Sequence, residues 1–112
     1  MSKLARKHDV FQAVSDHNRR KMVRMLADQE MSIAAIVRHF SISRTAVNKH
    51  LNILTDAGVV NAQKIGREVR YKLRPEALYE IKKWISFYER YWDERLLALK
   101  DYVEDDDKKK GV

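Results

Sequence analysis

Residues 31–73 run MSIAAIVRHF SISRTAVNKH LNILTDAGVV NAQKIGREVR YKL, and this stretch decides the fold. Its middle, roughly Arg44 to Ala57, places Val47, His50, Leu51 and Leu54 at i, i+3, i+4 and i+7, the apolar face of a helix. The opposite face carries Arg44, Thr45, Asn48, Lys49 and Asn52, side chains that reach base edges and phosphates. Ahead of it, Ser32 is placed to cap a helix from Ile33 to Phe40 with Ile33, Ile36, Val37 and Phe40 on one side. Ser41-Ile42-Ser43 then makes a tight turn, with Ile42 directed to the core and Ser43 capping the second helix. Two helices joined in this way fit the major groove of duplex DNA.

Behind the pair, Gly58 stands where a left-handed residue ends a helix. Two runs follow, Val59 to Ile65 and Glu68 to Leu73, with Gly66-Arg67 at the bend. In the second, Val69, Tyr71 and Leu73 alternate with Glu68, Arg70 and Lys72, as in a half-buried strand. A two-stranded hairpin tipped by Lys64, Gly66 and Arg67 makes a cationic wing suited to phosphate. The fold class expected is therefore mostly α, a winged helix-turn-helix with a long C-terminal helix. Upstream, Val10, Phe11 and Val14, then Met22, Val23, Met25 and Leu26, form two successive helices broken near Ser15 and Asp16, either of which can cap the second.

After Pro75, which suits a first helical turn, Leu78, Ile81, Ile85, Tyr88, Trp92, Leu96, Leu99 and Val103 step by three or four. Trp84, Phe87, Tyr91, Ala98 and Tyr102 widen that stripe. So broad an arc in a chain of 112 residues exceeds what its own domain can cover, and part is expected to pack on a second copy. The alternative, that it all belongs to the intramolecular core, stays open. Residues 1–103 are expected to form one DNA-binding and dimerisation domain, and residues 104–112 a charged, disordered tail.

Charge supports the same division of labour. Residues 1–74 hold 15 Lys/Arg against 6 Asp/Glu, and residues 75–112 hold 8 against 10, so the net +7 is concentrated in the first two-thirds. A polyanion partner should meet that part. The absence of cysteine excludes a disulfide framework, a thiolate metal site and cysteine catalysis. Met1 to Asp9 has no apolar signal core, and no window approaches the roughly 18 apolar residues of a membrane span, so a cytoplasmic location is expected.

Other chemistries find little to work with. The three glycines include none in a phosphate-cradling loop, and no nucleophile has an evident base. Asp93 and Glu94, adjacent on a helix, point about 100° apart and do not converge. No catalysis is expected. His50 reads as a partly buried packing residue, His39 as exposed beside Phe40, and His8 and His17 as belonging to separate helix starts without a third ligand.

Three segments resemble the ArsR-type winged-helix repressors: Val14 to Val23, Ser43 to Val60, and Gly66 to Leu73, similar to that family's opening segment, recognition helix and wing. The resemblance covers roughly residues 8–103. It implies a homodimer of winged helices that binds an inverted-repeat operator and represses transcription, with the first and last helices, and hence Phe11, at the dimer interface. The sequence departs from the family at His17, where a proline is common. Metal-sensing members carry cysteines before the recognition helix, or Asp and His on the last helix. Here residues 30–36 have no thiolate and residues 76–103 no histidine, so neither metal site carries over and no cofactor is expected.

The expected DNA contacts are Ser43, Arg44, Thr45, Asn48, Lys49 and Asn52 on the reading helix and Lys64, Arg67 and Arg70 on the wing, with Arg44 first for base readout. The expected dimer contacts are Phe11, Leu78, Ile81, Trp84, Ile85, Tyr88, Tyr91, Trp92, Leu96 and Leu99. Two other readings stay open. One is a protein-protein module in which residues 84–92 dock a foreign helix. The other is a regulator responding to a small-molecule effector held between the last helices near Trp84, Tyr88, Tyr91 and Trp92.

Overall fold

A computed structural model describes residues 8–110. It divides into two units, Met1–Glu80 and Ile81–Val112. In the first, helices α1 (Val10–Ala13) and α2 (His17–Asp28) precede strand β1 (Met31–Ser32), helices α3 (Ile33–Val37) and α4 (Arg44–Asp56) follow it, and strands β2 (Val60–Ile65) and β3 (Glu68–Leu73) come after α4. A 3-10 turn, Pro75–Leu78, leads into α5 (Tyr79–Lys110).

Each helix start has a local cause. Asp9 and Gln12 form a reciprocal capping box on α1, with the Asp9 carboxylate accepting from the Gln12 amide at 2.8 Å. Asp16 accepts from the Arg19 amide at 3.1 Å, which opens α2. The Ser32 hydroxyl accepts from Ala35 at 3.2 Å and the Ser43 hydroxyl from Ala46 at 3.1 Å, so both serines cap as their positions imply. Helix α3 is shorter than its apolar spacing suggests. After Val37 the chain tightens, with His39 donating to Ile36 and Phe40 to Val37.

At the far end of α4, Gly58 has φ +78°. Its amide donates to the Thr55 carbonyl and the Val59 amide to that of Leu54, each at 3.0 Å, a Schellman closure. Leu54 and Val59 are both fully buried beside it. The closure turns the chain directly into β2.

Strands β2 and β3 pair antiparallel from Val60 opposite Leu73 to Ile65 opposite Glu68. Only Gly66 of the two bend residues has positive φ, +65°, which fits the II′ geometry that matches strand twist. The expected two-stranded wing is in fact part of a three-stranded sheet of order β1-β3-β2, with Met31 opposite Tyr71 and Ser32 opposite Arg70. A strand of two residues has no periodicity of its own; its pairing is made forty residues away.

Met22, Ile36, Val47, Leu51, Leu54, Val59 and Val60 are the largest fully buried side chains. Each contributes about 1.5–3 kcal/mol through removal of its apolar surface from water. They come from α2, α3, α4, the link after α4 and the start of β2, so burial holds one face of α4 inward and leaves the other out.

Beyond Ile81 the second unit is the body of α5. Trp84, Phe87, Tyr91, Trp92, Leu96 and Leu99 on this helix are exposed, and Ile81 and Ile85 half-buried. Trp84 and Phe87 each meet Tyr88 edge to face, with centroids 5.5 and 5.0 Å apart. The helix does not stop at Val103. Residues 104–110, expected as disordered tail, are helical, and Lys100 pairs with Glu104 one turn on. The sequence places acids 104–107 four residues before lysines or glycine from 108 on, a spacing and order that favour helix. Residues 111–112 of that tail lie outside the described residues.

Candidate nucleic-acid interface

On α4 the residues between the buried positions face out. Arg44, Thr45, Asn48, Lys49 and Asn52 are all exposed, opposite buried Val47, Leu51 and Leu54. Ser43 is exposed too, but its hydroxyl is occupied as the cap. An exposed fork at Arg44, two carboxamides one turn apart and a lysine make a donor-rich strip at helical pitch. Such a strip matches the hydrogen-bonding edges of the major groove.

The wing residues do not form one set. Lys64 and Arg67 are exposed near the bend. Lys64 stands opposite Val69, whereas Arg70 stands opposite Gln63, so the two cations lie on opposite faces of the hairpin. Arg70 is also half-buried and paired, its Nε 3.2 Å from Glu68 and its Nη1 3.7 Å from Glu30. Two carboxylates offset its charge, which leaves Lys64 and Arg67 as the cations most available to phosphate.

Sequence reading passed over the contacts that orient α4. Arg19 donates from Nε to the Ala13 carbonyl at 2.7 Å, from Nη2 to Gln12 at 3.3 Å, and from Nη1 to His50 Nδ1 at 3.0 Å. A guanidinium can only donate, so when the imidazole is neutral Nδ1 accepts and the proton sits on Nε2. One side chain thereby joins the end of α1 and the start of α2 to the middle of α4. His50 is indeed a partly buried packing residue, with 19% of its side chain exposed and Asp16 3.8 Å from Nδ1. His8 is no bystander either: its amide and its Nδ1 both reach Asp56 Oδ2 at 3.0 Å, at the C-terminal end of α4.

Burial of Asp16 acts to raise its pKa, but the Arg19 amide, the charge of His50, the Asn18 amide and the charge of Arg19 together outweigh it. The carboxyl therefore titrates below its ordinary 3.8. Burial raises the Tyr71 phenol, on the strand paired with both β1 and β2, above 10.0.

Among the described residues no three His, Cys, Asp or Glu side chains gather closely enough to hold a metal ion. Residues 30–36 hold no cysteine and residues 76–103 no histidine. No described helix is long and apolar enough to cross a membrane.

A helix-turn-helix followed by a β-hairpin, with a polar face on its second helix, defines a winged-helix DNA-binding regulator. Residues 16–62 match the model of the bacterial regulatory protein, arsR family. The chain is 35% identical over 78 residues to the transcriptional repressor SdpR of Bacillus subtilis (strain 168), covering 70% of this chain and 87% of that protein. It is 28% identical over 94 residues to the HTH-type transcriptional regulator Rv2034 of Mycobacterium tuberculosis, covering 84% and 85%. Among solved structures it is similar to an ArsR-like transcriptional regulator from Rhodococcus sp. RHA1, with a TM-score of 0.64, 32% identity, and 90% and 95% of the two chains covered. The chain belongs to the ArsR family of transcriptional regulators, and its fold is theirs.

Proposed function

We propose that the protein is a homodimeric repressor that binds an inverted-repeat operator in the cytoplasm, with residues 1–103 serving both DNA binding and dimerisation. The observation that carries this is the outward strip of Arg44, Thr45, Asn48, Lys49 and Asn52 on a helix whose other face is locked into the core. Each protomer lays α4 in a major groove, where Arg44 reads a guanine edge bidentately and Asn48 and Asn52 read adenine edges. Lys49, Lys64 and Arg67 hold phosphates, and Arg70 contributes once it exchanges a carboxylate for the DNA backbone. The exposed face of α5, with Phe11, forms the interface between copies and sets the half-site spacing at one helical turn or a small multiple. Repression follows when the occupied site overlaps a promoter. The chain acts without catalysis and without a bound cofactor.

Selection of bound duplexes from a random pool tests this reading. A palindromic consensus supports it; enrichment of a single asymmetric site, or of none, contradicts it.

A further inference from the structure

Helix α2 carries a feature that the reading above does not use. His17, Arg20, Lys21 and Arg24 fall at i, i+3, i+4 and i+7, so they share one face, and all four are exposed. Met22 and Leu26 on the other side are buried. Among the described residues no ion pair involves any of the four. The one carboxylate in line with them is Asp28, a turn past Arg24 at the helix end. Like charges one turn apart repel, so Arg20, Lys21 and Arg24 disfavour one another and an outside anion would relieve that repulsion.

Two of these cations are held in position. Arg20 donates from Nη1 to the Val14 carbonyl at 2.8 Å. Lys21 donates to the His39 carbonyl at 2.6 Å and lies 4.7 Å from the centre of the Phe40 ring. Each bond uses one donor, leaving four N–H groups on Arg20 and two on Lys21 for an external acceptor. With Met25, the four side chains line an open concavity of about 360 Å³.

The location matters as much as the charge. His39 belongs to the turn between α3 and α4, next to exposed Arg38. Lys21 therefore fastens the stripe to the turn that launches the reading helix, while Arg19 on a neighbouring face of α2 fastens it to His50 in the middle of that helix. A row of basic side chains, two of them held in position and keyed at two points to the element that enters the groove, suits the regular phosphates flanking the bases being read.

We propose that this face of α2 is a second phosphate-binding track, which grips the DNA backbone outside the segment read by α4. The inference rests on the DNA-binding reading and deepens it. The track adds affinity and salt dependence without adding base preference.

The test compares the full chain with Arg20→Gln/Arg24→Gln, with Arg24→Glu and with Arg44→Ala, on a duplex recovered by selection and on a scrambled duplex. Arg24→Glu changes a side chain that makes no hydrogen bond among the described residues, so it isolates charge from folding, and circular dichroism checks that every variant is folded. Between about 50 and 200 mM salt the double variant should lose about 12-fold less affinity than the parent, a slope smaller by about two units. It should weaken both duplexes alike at low salt and lose hydroxyl-radical protection only at the flanks. Arg24→Glu should lower the slope by about one unit. Unchanged slope and footprint, in a series where Arg44→Ala still weakens binding, overturn the track and leave the regulator reading intact. Loss of polyglutamate binding with unchanged duplex binding also overturns it, in favour of an acidic protein ligand. A parent chain with no salt-sensitive affinity for any duplex removes the DNA-binding reading itself.

Discussion

Arg44 and Arg19 show how different two arginines on one small domain can be. Arg44 is exposed at the start of α4 and carries its charge outward. Replacing it with alanine is expected to cost about 1–3 kcal/mol on the selected operator and to relax base preference, as a binding titration over single-base variants would show. Arg19 spends its donors inside the fold, on Ala13, Gln12 and His50. Arg19→Ala leaves those acceptors partly unsatisfied and is expected to lower stability by about 1–3 kcal/mol, measured by denaturant unfolding. The neighbouring Asp16 adds a pH dependence. Its folded-state pKa lies below the unfolded value, so its contribution is present above about 3.8 and is lost as pH falls through the folded pKa. Asp16→Asn, which keeps a capping oxygen, is expected to flatten the acid limb of the stability curve; an unaltered limb would assign acid sensitivity to other carboxylates.

Elements differ in how far their cause is written locally. Helix α4, its Ser43 cap and its Gly58 closure were legible because each rests on residues within one or two turns of one another. Gly58→Ala must hold φ +78° with a Cβ, and is expected to cost about 1–2 kcal/mol, seen as a lower denaturant midpoint at constant m-value. Strand β1 was not legible, since Met31 and Ser32 become a strand only by meeting Tyr71 and Arg70. The pairing of Arg70 with Glu30 is hidden for the same reason, so charge alone does not show that this arginine already has carboxylate partners. The Arg19–His50 contact spans 31 positions and depends on how α2 crosses α4, which no local pattern specifies. On the wing, Lys64→Ala and Arg67→Ala are each expected to lower the salt slope of DNA binding by about one unit, and Arg70→Ala by less. Equal effects from all three would mean that the Glu68 and Glu30 pairs dissolve on binding.

At the scale of the whole molecule, the account depends on α5 meeting its counterpart in a second copy. Leu96 and Leu99 are 62% and 58% exposed, so Leu96→Glu should leave the first unit's stability unchanged. The same substitution is expected to weaken self-association by about 10- to 100-fold and operator binding with it, because a half-site held by one protomer loses the linked second contact. The helix itself was legible from its spacing, while its continuation to Lys110 was obscured by a charge run that reads as tail composition but also satisfies helical pairing. The most direct measurement is sedimentation velocity of the full chain with a fluorescent duplex recovered by selection, at low ionic strength. The account predicts a complex of two chains on one duplex, converting to free dimer as salt is raised. A single chain per duplex, or protein and duplex sedimenting independently, would contradict it.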